Sequence, residues 1–298
     1  MTANVSPKHA AALILAGMMT LGLSDNFVPF ISGESSLWQF HLIRSGLVLS
    51  ALVVASRMGA GAIWPQKPLA VLGRSLFQAG ALLIYFGCIA IMPIGVVIAG
   101  LFTAPLFVLI ISVLFQGKSA GPIRWFAVVL GFVGAVMVIR PDPSALDPVA
   151  FLPVCAGLLY AIGAIATRAW CEGEDTLTLT AWFFGLLMVF GIVGVVVLPS
   201  GGALGADGFP LRGWMPLNGA MLGWYVALAI GALVGIALIF RGYQTGEASF
   251  VAVFEYSLLI FASFWAWVMW DQTVPALGLA GMVLIVGAGI IIALRSDP

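Results

Sequence analysis

The sequence predicts an all-α polytopic membrane protein of ten transmembrane helices, arranged as two inverted five-helix repeats. Three observations carry that prediction: an oily composition, a train of apolar runs of membrane-crossing length, and an internal duplication. Hydrophobic residues make up 62% of the 298-residue chain and charged residues 8%, about a third of the roughly 25% charge usual in soluble domains. That balance excludes an ordinary water-soluble enzyme. A hydrocarbon core of about 30 Å needs about 20 apolar helical residues to cross it, and runs of that length succeed one another from Ala10 to the C-terminus.

In chain order, spans are expected at about 10–31, 36–56, 71–92, 94–116, 123–140, 148–170, 176–198, 219–241, 247–270 and 275–294. The first is too long for the apolar core of a signal peptide and no small-residue cleavage pattern follows it, so it remains a spanning helix. Pro105 sits near the middle of the fourth, where its missing N–H frees the Leu101 carbonyl and disfavours a straight helix. The longest gaps, 57–70 and 199–218, are too short to house a soluble domain. Function is therefore expected inside the bundle.

Orientation follows from the basic residues near the span ends. A cytoplasmic N-terminus puts Lys8, Arg57, Lys67, Arg74, Lys118, Arg124, Arg168, Arg241 and Arg295 inside and only Arg140 and Arg212 outside. Both termini are thus expected in the cytoplasm. Arg44 is the basic residue left within a span.

The duplication sets the geometry. "AGMMTLG" at Ala16–Gly22 and "GESS" at Gly33–Ser36 are echoed 140 residues later by "AGLLYAIG" at Ala156–Gly163 and "GEDT" at Gly173–Thr176. At a spacing of 153, Pro122 matches Pro275 and Gly134 matches Gly287, and the long 199–218 loop gives room for the change of offset. Residues 1–146 and 147–298 then form two units. A tandem unit with an odd number of crossings enters the membrane from opposite sides, the inverted architecture of secondary transporters with a site near the midplane.

On these features, the five-plus-five spans, the Pro-led fifth and tenth helices with "GFVGAVMVI" and "LIVGAGIII", and the acidic turns "GESS" and "GEDT", the whole chain resembles the drug/metabolite transporter superfamily, in its EamA branch. Within that branch it is most similar to YddG-type bacterial exporters of aromatic and other neutral amino acids. The resemblance implies an inner-membrane location, a central cavity faced by the fourth helix of each half, gating by spans one, three, four, six, eight and nine, and a scaffold role for the Pro-led helices.

Candidate site residues are the ionisable and aromatic groups at depth. Asp25 lies about 22 Å along the first helix and Arg44 about 12 Å in from the far end of the second, so the two share a depth and can pair. Either they form a closed pair that fastens two helices, or Arg44 engages a solute carboxylate, for which a guanidinium fork is suited. His41, one turn before Arg44, is a solvated interfacial residue or a proton relay. Glu255 and Tyr256, opposite Phe102 and Thr103 at the 153 spacing, are cavity-facing groups or helix-packing ones. Tyr85, Tyr160 and Trp182 line a cavity or pack between helices, and Pro105 marks a gate or a passive bend. Gly231 and Gly235 form a GxxxG that suits packing within the chain.

Other chemistries lack their residues. A net charge of zero provides no basic stripe for nucleic acid. Cys88, Cys155 and Cys171 lack metal or disulfide spacing. Gly117–Ser119 reads Gly-Lys-Ser, but the first glycine of a P-loop would fall at Ser112 inside a span. No HExxH occurs, and no enzyme and no cofactor is expected. The expected function is a monomeric secondary transporter in the bilayer, exporting small neutral metabolites, foremost amino acids including aromatic ones, by alternating access. The rivals are an importer or exchanger of another solute such as a nucleotide derivative, a channel, and an intramembrane enzyme.

Overall fold

The computed structural model describes residues 7–89, 94–117, 121–139, 148–201 and 208–295, and all regular structure among them is helical. Lys118, Ser119 and Arg140 lie outside the described residues. The helices are α1 (Pro7–Asp25), α2 (Pro29–Ser32), α3 (Leu37–Arg57), α4 (Pro68–Ile89), α5 (Ile94–Leu101), α6 (Ala104–Leu114), α7 (Pro122–Ile139), α8 (Leu152–Ala169), α9 (Thr176–Val197), α10 (Gly219–Thr245), α11 (Ala248–Val251), α12 (Ser257–Trp270) and α13 (Ala276–Arg295).

Among the described residues, nine helical stretches are long and apolar enough to cross a membrane. The expected first span, α1, falls short of the others in hydropathy, because Pro7, Lys8, His9, Ser24 and Asp25 occupy its ends. It nonetheless packs along α10 and α12 like a member of the bundle.

Two expected spans are broken. The fourth is interrupted at Phe102–Thr103, so that Pro105 sits in the first turn of α6, where its absent N–H costs nothing. The carbonyls of Gly100 and Leu101 released there back onto Gly157 of α8, which leaves room only for a hydrogen: a β-carbon at 157 would lie 2.9 Å and 3.1 Å from them. The ninth, expected to be continuous, turns into a 3₁₀ segment over Ala252–Tyr256 between α11 and α12.

Helices pair antiparallel through small residues. Gly134 of α7 and Gly281 of α13 back onto each other's carbonyl oxygens, at 2.6 Å and 2.5 Å from where a β-carbon would stand. Gly231 and Gly235 of α10 receive Ser24 and Leu21 of α1, so the GxxxG serves packing within the chain, as expected. α3 lies along α9, and α4 along α8.

Pro7, Arg124, Glu247 and Leu294 mark one end of the bundle, the near end, where Arg124 Nη1 meets Glu247 Oε1 at 2.6 Å in the single closed ion pair among the described residues. At the far end, Arg212 is 3% exposed and donates to the carbonyls of Ser35 and Ser32, and burial pulls its guanidinium below its ordinary range. The sequence places Arg212 in an outer loop but gives no hint that it is buried.

Candidate functional site

Helix ends and helix breaks deliver the polar groups to one place. Asp25 is the last residue of α1, Arg44 lies two turns into α3, and Glu255 stands in the 3₁₀ break of the ninth span. All three line an inner chamber of about 120 Å³, with Tyr85, Pro105 and Tyr160 and the rings of Phe86, Phe102, Phe183 and Phe184. The chamber shares Asp25, Tyr85, Phe86, Leu101, Phe102 and Leu258 with a vestibule of about 570 Å³ that reaches Trp270 and Gln272 at the far end. No described residue of the near-end loops lines either space.

Arg44 is 6% exposed and is held by rings rather than by an acid. Its guanidinium carbon lies 4.4 Å from the Phe40 ring centre, 5.6 Å from Phe86 and 5.9 Å from Phe184. Such cation–π contacts offset part of the cost of desolvating the charge. Nη2 faces His41 Nδ1 at 3.5 Å, and Nε finds no protein partner. The closed Asp25–Arg44 pair allowed by the sequence is not formed: no bridge within 4.0 Å joins them, and Asp25 is exposed to the chamber and vestibule.

Glu255 is 5% exposed and accepts the Tyr160 hydroxyl at 2.7 Å. The buried ring of Tyr243 stands beside it, its hydroxyl without a hydrogen bond of normal geometry.

Four expected site residues lie elsewhere. His41 is fully buried, edge-on to Phe40 and Phe86, and sits behind Arg44; the solvated imidazole allowed by its position in the helix is corrected by the rings that enclose it. Thr103 turns its hydroxyl back to the Gly100 carbonyl at 2.6 Å, satisfying the helix break instead of facing a solute. Trp182 donates from Nε1 to the Ile63 carbonyl in a near-end loop, on a different face of α9 from its neighbours Phe183 and Phe184, which line the chamber. Tyr256 is fully buried, stacked on Phe102 at 5.7 Å and pressed against Gly131.

Arg74 is the residue the sequence reading misplaces. Counted as a helix-end cation, it is fully buried below the chamber floor of Phe183 and Phe184. Nε donates to Thr167 Oγ1 at 2.8 Å, Nη1 to the Leu179 carbonyl at 3.3 Å, and the guanidinium lies 3.6 Å over Phe240. The missed signal is Pro68: a proline at the first helical position starts α4 three residues earlier than expected and carries Arg74 into the bundle.

With this geometry in view, the chain can be placed among known proteins. No family model matches it. It is 28% identical to a riboflavin transporter of Rhizobium johnstonii over 230 residues, 76% of this chain and 70% of that protein. It is 24% identical to the pseudopaline exporter CntI of Pseudomonas aeruginosa over 282 residues, 94% of each. An S-adenosylmethionine uptake transporter of Rickettsia prowazekii matches at 21% identity over 93% of this chain and 90% of its own length. A solved structure superposes with a TM-score of 0.76 at 15% identity, covering 98% of this chain and all of that one, which supports the fold alone. The chain is a multi-pass membrane protein related to small-molecule transporters.

Proposed function

We propose that this chain is an inner-membrane secondary transporter that exports small neutral metabolites carrying an amine and a carboxylate, foremost amino acids including aromatic ones. The observation that carries the reading is the chamber itself: an apolar, ring-walled space at depth, with one caged cation and an unpaired carboxylate on its wall, reachable from one end only. Arg44 anchors the solute's carboxylate, Asp25 its ammonium group, and Tyr85, Tyr160, Phe102 and Phe184 bracket the side chain. The state seen is open at the far end. Alternating access requires a second state in which the near end parts.

Two further features support an inverted duplication of residues 1–146 and 147–298 as the frame for that motion. Both helix breaks, at 102–103 and 252–256, fall in register at the 153 offset. The 140 and 153 offsets also carry the Ser24–Gly231 contact onto residue 164 and Gln78, and Gln78 packs on the adjacent Gly163. With cytoplasmic termini, the open end faces outward, the state in which an exporter releases solute. The chain works as a monomer in this reading.

A second reading, a flat aromatic solute, is favoured by the ring-lined walls and by the names of relatives that carry riboflavin. Uptake of labelled L-phenylalanine, L-leucine, riboflavin and a nucleotide into proteoliposomes of the purified protein tests both. Accelerated entry of the two amino acids, lost in Arg44→Ala protein that still elutes as a folded species, is expected. Entry of riboflavin alone would establish the second reading, and entry of the nucleotide alone would overturn both.

A further inference from the structure

Glu255 poses a problem that solute binding does not solve. Its carboxylate stands in a 3₁₀ break at membrane depth, 5% exposed, with Leu258, Ile236 and Ile239 on the chamber wall around it. A buried carboxylate without a partner cation is expensive in such a place, and no cation lies within 4.0 Å of it. Arg44 belongs to a cage of three phenyl rings across the chamber, and Arg74 is bound to Thr167 and Leu179. Asp25 differs, because it opens onto the vestibule where a solute's amine enters.

The neighbouring groups narrow what can neutralise the charge. Tyr160 of α8 donates to one carboxylate oxygen, Tyr243 of α10 stands alongside, and Tyr256 is its chain neighbour. Asp25 and Arg44 face it across the chamber. α5, α6, α11 and α12 contain no ionisable residue, Arg124 of α7 is held by Glu247, and the one ionisable residue of α13 is its last, Arg295. Tyr160 in turn lies within electrostatic reach of Arg74 beneath the chamber floor. The hydrogen-bonded pair of Glu255 and Tyr160 therefore stands on the wall of the open chamber with no cation against it.

We infer that Glu255 is a proton-binding site and that transport is an exchange of solute for protons. A proton from the vestibule bonds to the carboxylate oxygen that Tyr160 does not hold, leaving a neutral carboxyl group. When the near end opens, that O–H bond breaks, the proton leaves to water on that side, and the carboxylate is restored for the entering solute. Proton and solute ammonium compete for the negative charge of one chamber, and this competition makes the movement an exchange. The break at 252–256 places the titrating group where the ninth span can bend. The inference rests on the transporter reading above for its second half only, since proton binding is measurable without a solute.

Two measurements on the full-length protein test it. In the first, pH-difference infrared spectra of lipid-reconstituted protein should show the carbonyl stretch of a protonated carboxyl group that disappears in Glu255→Gln and shifts in Tyr160→Phe. Absence of a Glu255-dependent band between mildly acidic and mildly alkaline pH would overturn the proton site. In the second, L-phenylalanine is followed in proteoliposomes by counterflow and by accumulation driven by a pH gradient. Wild-type protein should concentrate it on the acidic side, and Glu255→Gln, fixed in the neutral form, should retain counterflow only with its half-saturation raised several-fold while its accumulation ratio falls to unity. Gradient-driven accumulation retained by Glu255→Gln, or wild-type accumulation on the alkaline side, would overturn the exchange. Loss of counterflow in folded Glu255→Gln would assign the carboxylate to the solute's amine instead. A Glu255-dependent band without wild-type counterflow would leave the proton site standing and count against the transporter reading.

Discussion

The near end of the bundle is stitched by polar groups, whereas half of the far end stands apart around a vestibule. At the near end, Glu174 accepts the backbone amides of Gln66 and Lys67 at 3.1 Å and 2.6 Å, Thr176 donates to Gln244, and Thr178 donates to the Ala62 carbonyl, with Arg74 buried behind them. At the far end the loop before α10 is bound as firmly to α3, through Trp38, Gln39 and Arg212. Yet α1 and α12, which stay packed on each other, stand apart there from α4 and α5 around the space that Phe30, Tyr85, Ile98 and Trp270 line. The difference shows where a gate can be. A seal made of hydrogen bonds to loop backbone can be exchanged for bonds to water as it parts, at small net cost. The apolar helix seams, such as Gly134 against Gly281, have no such exchange open to them.

Breaking the seal should have the largest effect. Arg74→Met removes two charged hydrogen bonds, each worth about 1.5–3 kcal/mol, and so shifts the balance between the two states by on the order of a hundredfold or more. A cysteine at Thr178 in a cysteine-free background should be protected from a membrane-impermeant thiol reagent with Arg74 and labelled rapidly in Arg74→Met. Unchanged labelling would remove Arg74 from the gate.

On the chamber side, Arg44→Ala should weaken binding of a carboxylate-bearing solute by about tenfold to a hundredfold, the worth of one hydrogen bond to a charged group. The loss should be smaller for the carboxyl amide of the same solute, a comparison that equilibrium binding in detergent can make. Glu174→Gln weakens the loop staple and should lower stability by about 1 kcal/mol, read as a drop in melting temperature with solute affinity intact.

The smallest effect separates the two regions. Trp182→Phe loses only its bond to Ile63, so it should cost about 1 kcal/mol or less and leave solute affinity unchanged. Tyr85→Ala, on the chamber wall, should reduce affinity with stability less affected. A clear affinity loss in Trp182→Phe would return that residue to the site.

Which residues meet was only partly legible in the chain. Depth along a helix is a simple rise per residue, so Asp25, Arg44, Tyr85, Tyr160 and Glu255 could be read at depth from the chain, and the structure brings all five to one chamber. Rotation about the helix axis decides the rest. Tyr256 follows Glu255 directly, yet the 3₁₀ turn sends one side chain to the chamber and the other against Phe102 and Gly131. His41 and Arg44 share a face, but the longer side chain reaches the chamber and the shorter ring stays behind it. Thr103 was legible as a position opposite Tyr256 in the repeat and not as the donor that its own helix break claims.

By itself the sequence determined that the protein is a multi-pass membrane protein, where most of its long apolar helices fall to within a few residues, and that the fourth span cannot run straight past Pro105. These follow from hydrophobicity and backbone covalent geometry, which act locally. The tertiary structure alone decided that Asp25 and Arg44 stay unbridged, that Arg74 is buried on Thr167, Leu179 and Phe240 rather than standing at a helix end, and that the vestibule opens at one end of the bundle. Those depend on which helix faces meet across hundreds of residues, and a ring such as Phe184 or Phe240 acquires a cation only when a distant helix carries one to it.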